Sequence, residues 1–157
     1  MKRSLAGILA FSLVLLTGCG EKEVSATADN LPTVTANMGE APTIGAPSGT
    51  PPTTLESKDI IVGTGAEVAA TSTITFHYTL MTWSNGALIE SSWNSGAPAT
   101  YPLSQLIVGW QQGIPGKKVG GRRLLVVPPD LGYGAQGSGP VGPNETLVFV
   151  MDIVSVS

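Results

Sequence analysis

From Thr73 to Leu80 apolar and polar residues alternate without a break. Ile74, Phe76, Tyr78 and Leu80 fall on one side of an extended chain, and Thr73, Thr75, His77 and Thr79 on the other. That period of two is the mark of a strand with one buried face. Asn85-Gly86 follows soon after, a strong hairpin signal, and predicts a returning strand over Leu88–Ser91. Asp59–Val62 reads as a short first strand, closed by Gly63-Thr64-Gly65. Arg122–Val127 and Thr146–Val156 are longer apolar runs. Pro128-Pro129 stops the first, and the second puts Leu147, Phe149, Met151 and Ile153 on one face. Between Leu103 and Gly113 the period changes. Leu106, Ile107 and Trp110 recur at helical spacing, with Ser104 expected as the N-cap and Gly113 as the stop. One short helix among about five strands predicts an α+β fold, a curved antiparallel sheet wrapped around the helix. A pocket is expected between the two.

The N-terminal third has a different pattern. Met1-Lys2-Arg3 precedes a nearly pure apolar run from Leu5 to Leu16. Twelve residues rise about 18 Å as a helix, short of a bilayer core of roughly 30 Å. Residues 1–18 are therefore expected to be a signal peptide rather than a membrane span. The run ends Leu16-Thr17-Gly18-Cys19, which resembles a bacterial lipobox. In such proteins the cysteine takes a diacylglycerol, the chain is cut before it, and a further acyl chain such as palmitate completes the anchor. Two or more acyl chains give stable attachment. Cys19 is thus the expected lipidation site, with the protein extracytoplasmic and anchored to a bacterial membrane. Residues 19–54 are rich in Ala, Thr, Pro and Gly, and their few apolar side chains share no period. They are expected to be a linker, spanning roughly 30–35 Å as a flexible coil. An alternative lays Leu31–Thr35 and Pro42–Ile44 along the domain as short extended pieces. The folded domain is expected over 55–157.

Composition narrows the chemistry. The chain has 157 residues, 12% of them charged, with 20 glycines and 12 prolines, which suits strands and loops better than helices. Beyond residue 18 there are 6 basic and 11 acidic residues, too few cations for a nucleic-acid face. The basic patch Lys117-Lys118…Arg122-Arg123 reads as a solvated hairpin rim. A lone cysteine and a lone histidine, His77, rule out an internal disulfide and Cys₂His₂-type zinc sites. No metal and no cofactor is expected. The remaining candidate chemistry is an uncharged, aromatic floor flanked by Gly- and Pro-rich loops.

Six segments carry a resemblance: His77-Tyr78-Thr79, Ile89-Glu90-Ser91-Ser92, Val108-Gly109-Trp110, Val119-Gly120-Gly121-Arg122, Pro129-Asp130-Leu131-Gly132-Tyr133-Gly134 and Thr146-Leu147-Val148-Phe149. In this order and spacing they resemble the FKBP family of peptidyl-prolyl isomerases, over the whole of 55–157 and none of the linker. The resemblance implies a five- to six-stranded antiparallel half-barrel around one short helix. It also implies cis–trans isomerisation of the bond before proline, without a cofactor.

Carried over residue by residue, Trp110 is the pocket floor, and Tyr78 and Phe149 are its walls. Leu106 and Ile107 form the lip, and Tyr133 donates its hydroxyl to a substrate carbonyl. Val141 lies in the loop closing the far side. Ile89-Glu90 stands where the family usually has Phe-Asp. Ala99 stands at another aromatic position, with Tyr101 two residues on. The catalytic set implied is Tyr78, Tyr133, Trp110, Phe149 and Glu90, and the substrate-binding set is Ile89, Leu106, Ile107, Val141 and Tyr101. Expected partners are proline-containing polypeptides, macrolides such as rapamycin, and a membrane through the lipid anchor. The protein is expected to be a monomer. The competing reading is a low-turnover chaperone or partner-binding lipoprotein on the same fold.

Overall fold

The structure is a computed structural model, and it describes residues 30–157. The expectations for residues 1–18 and for Cys19 lie outside the described residues. Six strands form one antiparallel sheet: β1 Glu56–Ile61, β2 Thr73–Thr82, β3 Leu88–Ser91, β4 Ala99–Pro102, β5 Arg122–Val127 and β6 Leu147–Val156. The order is β1-β5-β6-β2-β3, and β4 pairs with β2 below β3 on the same edge. The sequence reading did not delimit β4. It is only four residues long and ends in proline, so no alternation could declare it. The β2–β3 hairpin forms where Asn85-Gly86 predicts it. Gly86 takes a φ of 64°, and the Asn85 carboxamide accepts from Thr82 Oγ1 and from the Ala87 N–H.

The inner face of the sheet holds the expected alternation. Ile74, Phe76 and Leu80 of β2, Leu125 and Val127 of β5, and Leu147, Phe149, Met151 and Ile153 of β6 pack around Trp110 and Ile114. Trp110 belongs to α1, Val108–Gly113. Two glycines let this helix lie directly on β5. A Cβ at Gly109 would meet Val127 at 2.5 Å, and one at Gly113 would meet Leu125 at 2.7 Å. Gly113 ends the helix as expected, but Ser104 does not cap it. Ser104 sits in a separate 3₁₀ turn, Leu103–Gln105, and Ile107 opens α1 without a side-chain cap. The intervening backbone is held instead by Gln111, whose Nε2 donates to Leu106 O at 2.7 Å and to Ser104 O at 3.3 Å.

The outer face is also covered, which corrects the expectation of a free linker over residues 30–54 in favour of the alternative that lays Leu31–Thr35 and Pro42–Ile44 along the domain. Leu31, Val34 and Ile44 pack on a second buried cluster of Met81, Trp83, Leu124, Val126, Val148 and Val150. Residues 33–45 form a small hairpin of their own, in which Val34 bridges Ile44, Gly45 N donates to Thr33 O at 2.8 Å, and Thr35 N donates to Thr43 O at 3.2 Å. The strap then returns past Trp83, whose Nε1 donates to Gly49 O at 3.2 Å. The physical reason lies in β5 and β6. Leu124 to Val127 and Leu147 to Met151 are apolar at every position, and both faces of those strands must be kept from water. The proline-broken strap has little capacity for structure of its own, but it has three apolar side chains where this face needs them.

Candidate functional site

Between α1 and the inner face of the sheet lies a cleft lined by Phe76, Tyr78, Leu80, Glu90, Tyr101, Leu106, Ile107, Trp110, Tyr133 and Phe149. Its parts come from six places in the chain, among them β3, which supplies Glu90. Strand β2 supplies Phe76, Tyr78 and Leu80 because a period of two sends all three inward. Leu106 and Ile107 stand where the 3₁₀ turn gives way to α1, and Trp110 follows one turn later. Phe149 reaches in from β6 and Tyr101 from β4. Tyr133 sits in the long loop between β5 and β6, between short 3₁₀ turns at Pro129–Leu131 and Gly134–Gln136.

Trp110 is the centre of the aromatic packing. Its ring meets Phe76 at 4.9 Å with a 68° interplanar angle, Phe149 at 5.1 Å and 88°, and Tyr78 at 6.0 Å and 79°. These edge-to-face contacts present positive ring edges to negative ring faces, each worth about 0.5–1.5 kcal/mol beyond the area they bury. They fix the indole, so the floor is rigid before any ligand arrives. The indole Nε1 is buried without a hydrogen-bond partner, an arrangement that costs about 1–3 kcal/mol.

The only carboxylate in the lining is that of Glu90. Burial, reinforced by the neighbouring Glu90 carboxylate, pushes the Tyr78 phenol far above its ordinary value. Burial first, and then the charge on Glu90, push Tyr133 up as well. Both hydroxyls therefore keep their protons and remain donors at any physiological pH. The arrangement has no nucleophile paired with a base. What it offers is a desolvated apolar surface with two phenolic donors at its rim.

Eight of the ten residues expected in the site meet in this cleft: Tyr78, Glu90, Tyr101, Leu106, Ile107, Trp110, Tyr133 and Phe149. Two do not line it. Ile89 is half-buried and packs against the inner core, and Val141 is buried within that core. Val141 is held there by paired hydrogen bonds with Ser138 at 2.9 Å, across a turn in which Gly139 takes a φ of 53°. Phe76 and Leu80 were missed as lining residues. They flank Tyr78 at i−2 and i+2, and that spacing was the available signal. His77 points to the other face, stacked on Trp93 at 3.8 Å.

Comparison with known proteins gives a consistent result. The family model for FKBP-type peptidyl-prolyl cis-trans isomerase matches residues 65–154. A probable FK506-binding protein of Corynebacterium glutamicum is 46% identical over 116 residues, which cover 74% of this chain and 98% of the relative. The outer membrane protein MIP of Legionella longbeachae is 37% identical over 124 residues, 78% of this chain but only 51% of that protein. Among solved structures, AtFKBP13 superposes with a TM-score of 0.61 at 32% identity, over 66% of this chain and 93% of that one. FkpA from Escherichia coli gives 0.62 at 31% identity, over 66% of this chain and 48% of that one.

Proposed function

We propose, from the premise that the chain belongs to the FKBP-type peptidyl-prolyl cis-trans isomerase family, that it turns over X–Pro bonds of extracytoplasmic polypeptides from a lipid anchor at Cys19. The isomerase activity goes with the family. The mechanism, the site roles, the anchor and the location are our reading. The observation that carries the mechanism is the fixed Trp110 indole, met edge-on by three rings inside one cleft.

The barrier to rotation about X–Pro is about 18–20 kcal/mol and arises from amide resonance. Water favours the planar amide because its dipole is the larger. A proline ring seated on Trp110, with Tyr78 and Phe149 beside it, leaves water behind. In that setting the twisted amide loses less relative to the planar one. The Tyr133 hydroxyl, kept protonated by burial, donates to the substrate carbonyl and fixes the orientation in which the bond turns. Leu106 and Ile107 hold the chain at the lip. A barrier lowered by about 7 kcal/mol corresponds to roughly a 10⁵-fold acceleration, and preorganised dipoles in a dry site can supply it. Uncatalysed X–Pro isomerisation takes tens to hundreds of seconds, so a folding chain gains from the catalyst.

The lipobox-like Leu16-Thr17-Gly18-Cys19 supports the anchor, and the name of the Legionella relative places that protein in an outer membrane. Among the described residues no helix is long and apolar enough to cross a membrane. Two measurements test the reading. A protease-free isomerisation assay on a neutral proline peptide should show catalysis, and its absence would leave only the binding-module reading. Metabolic labelling with a fatty acid should mark the wild-type chain and not Cys19→Ser. Label retained in the variant removes the anchor.

A further inference from the structure

The charges of this molecule are segregated. All five cations of the described residues are Lys58, Lys117, Lys118, Arg122 and Arg123, on β1, at the start of β5 and in the loop that leads into β5. Residues 59–116 and 124–157 contain no Lys or Arg, and every residue lining the aromatic cleft comes from those two stretches. Most of the cations are also engaged where they stand. Asp59 takes Lys117 at 2.9 Å and Arg123 at 2.6 Å. Burial raises its carboxyl, but the two cations outweigh burial and hold it below its ordinary range. Arg122 is wholly buried against Asp152.

Around the cleft the balance is reversed. Glu90 is in the lining and exposed. Among the described residues, Glu90 has no cation within salt-bridge distance. His77 is on the other face of β2.

We propose that this one-signed field selects substrates, so that the cleft takes X–Pro segments with Lys or Arg beside the proline in preference to those with Asp or Glu. The proposal rests on the isomerase reading and adds the substrate class. A proline seated on Trp110 puts its neighbouring side chains at the rim, within reach of the Glu90 carboxylate. A unit charge pair near a protein surface is attracted by about 1 kcal/mol or more at such range, and the opposite sign repels by a like amount. Each step corresponds to roughly a 3–10-fold change in kcat/KM. Glu90, the one carboxylate in the lining, is the specificity-determining residue.

The test uses the full chain in detergent and three peptides of the form Ala-Xaa-Pro-Phe, with Xaa as Lys, Gln or Glu. Their cis–trans exchange is followed by NMR without a coupling protease. In low salt, kcat/KM should fall in the order Lys, Gln, Glu, with roughly tenfold or more between the ends. The spread should narrow severalfold in ~0.5 M salt, where the Debye length shrinks to a few ångströms. Glu90→Gln should collapse most of the Lys-to-Glu ratio. That ratio is internal to each variant, so a lower overall rate does not blur it. Equal rates in low salt, or a preference for Glu, overturn the proposal. Absence of turnover on the Gln peptide counts against the isomerase reading instead. The charge preference is then read from the dissociation constants of the same peptides, where equal values for Lys and Glu overturn it.

Discussion

Arg122 and Asp152 face each other across β5 and β6 in a bidentate pair, with Nε to Oδ1 at 2.6 Å and Nη2 to Oδ2 at 2.7 Å. The remaining donors of the same guanidinium reach the strap, at Thr35 O (2.9 Å), Asn37 Oδ1 (3.2 Å) and Glu40 O (2.7 Å). Every side-chain N–H of this arginine is thereby used, at a position fully shielded from the surface. Removing one partner of such a pair strands the other. Asp152→Ala is expected to cost about 3–5 kcal/mol in urea unfolding. Replacing both, Arg122→Met with Asp152→Leu, should recover a good part of that loss. A cost for Asp152→Ala below about 1 kcal/mol would mean that water reaches the guanidinium.

The strap should be needed for full stability. Cutting the chain to 55–157 uncovers the outer-face cluster and removes three of the contacts on Arg122. Fully burying an aliphatic side chain is worth about 1.5–3 kcal/mol, and Leu31, Val34 and Ile44 are each partly buried. The fragment should therefore melt well below residues 30–157, by 10 °C or so for a loss of about 2–3 kcal/mol. Equal melting temperatures would restore the free-linker reading.

Trp110→Leu keeps apolar volume at the floor and removes the ring. A fall of tenfold or more in affinity for a proline peptide is expected, measured by calorimetry on protein shown to be folded. Stability should drop too, because three edge-to-face contacts go with the indole. Undiminished affinity would move the site away from α1.

Tyr101 lines the cleft yet is 49% exposed. It stands two residues after Ala99 on β4, opposite Ile74, and it brings to the rim the ring that Ala99 lacks. Tyr101→Ala should lower kcat/KM by roughly 3–10-fold, the value of one aromatic contact, with little change in melting temperature. Equal losses of activity and stability would make Tyr101 a structural residue.

Tyr78 and Tyr133 both hold their protons above the ordinary tyrosine value of 10.0. A group raised in the folded state stabilises fully below its unfolded value, and the contribution is lost as pH climbs above it. Unfolding free energy should thus fall with rising pH from about pH 10 upward, and Tyr133→Phe should lessen the slope. Phenolate absorbance in the folded protein should also lag behind that of a denatured sample. Coincident titration curves would show that the two hydroxyls are open to water.

Much of this was legible in the chain. The alternation in β2 predicts Tyr78 in the cleft, and by the same rule it carries Phe76 and Leu80 with it. Trp110 could be placed because Leu106, Ile107 and Trp110 keep helical spacing. The N-cap failed because capping residues are common in loops, and Ser104 is one turn too early; the helix starts where Gly109 can first approach Val127. Ile89 packs on the inner core beside the cleft without lining it, a difference that the short strand Leu88–Ser91 is too brief to declare. The strap could be read only as an alternative, for a different reason. Its own residues have no period, and the sign of its docking lies some eighty residues later, in the unbroken apolar runs of β5 and β6. Such runs announce that both faces are covered without saying by what.

On the proposed lipid anchor, the docked strap would also set how far the isomerase can work from its support. Asn30 is already fixed to the body, its Nδ2 donating to Ser48 O at 2.9 Å. With the lipid on Cys19, as proposed, ten residues, 20–29, separate it from Asn30 and set the length of the leash. A chain of that length reaches at most about 33–36 Å, against roughly 115–126 Å had everything to Thr54 been free. On the proposed anchor the cleft would thus be confined to a shallow layer next to the bilayer, with distant chains out of range. Loosening the contacts on Arg122 would lengthen the leash about threefold, so a substitution at Asp152 would alter which polypeptides the enzyme can meet as well as how firmly it folds.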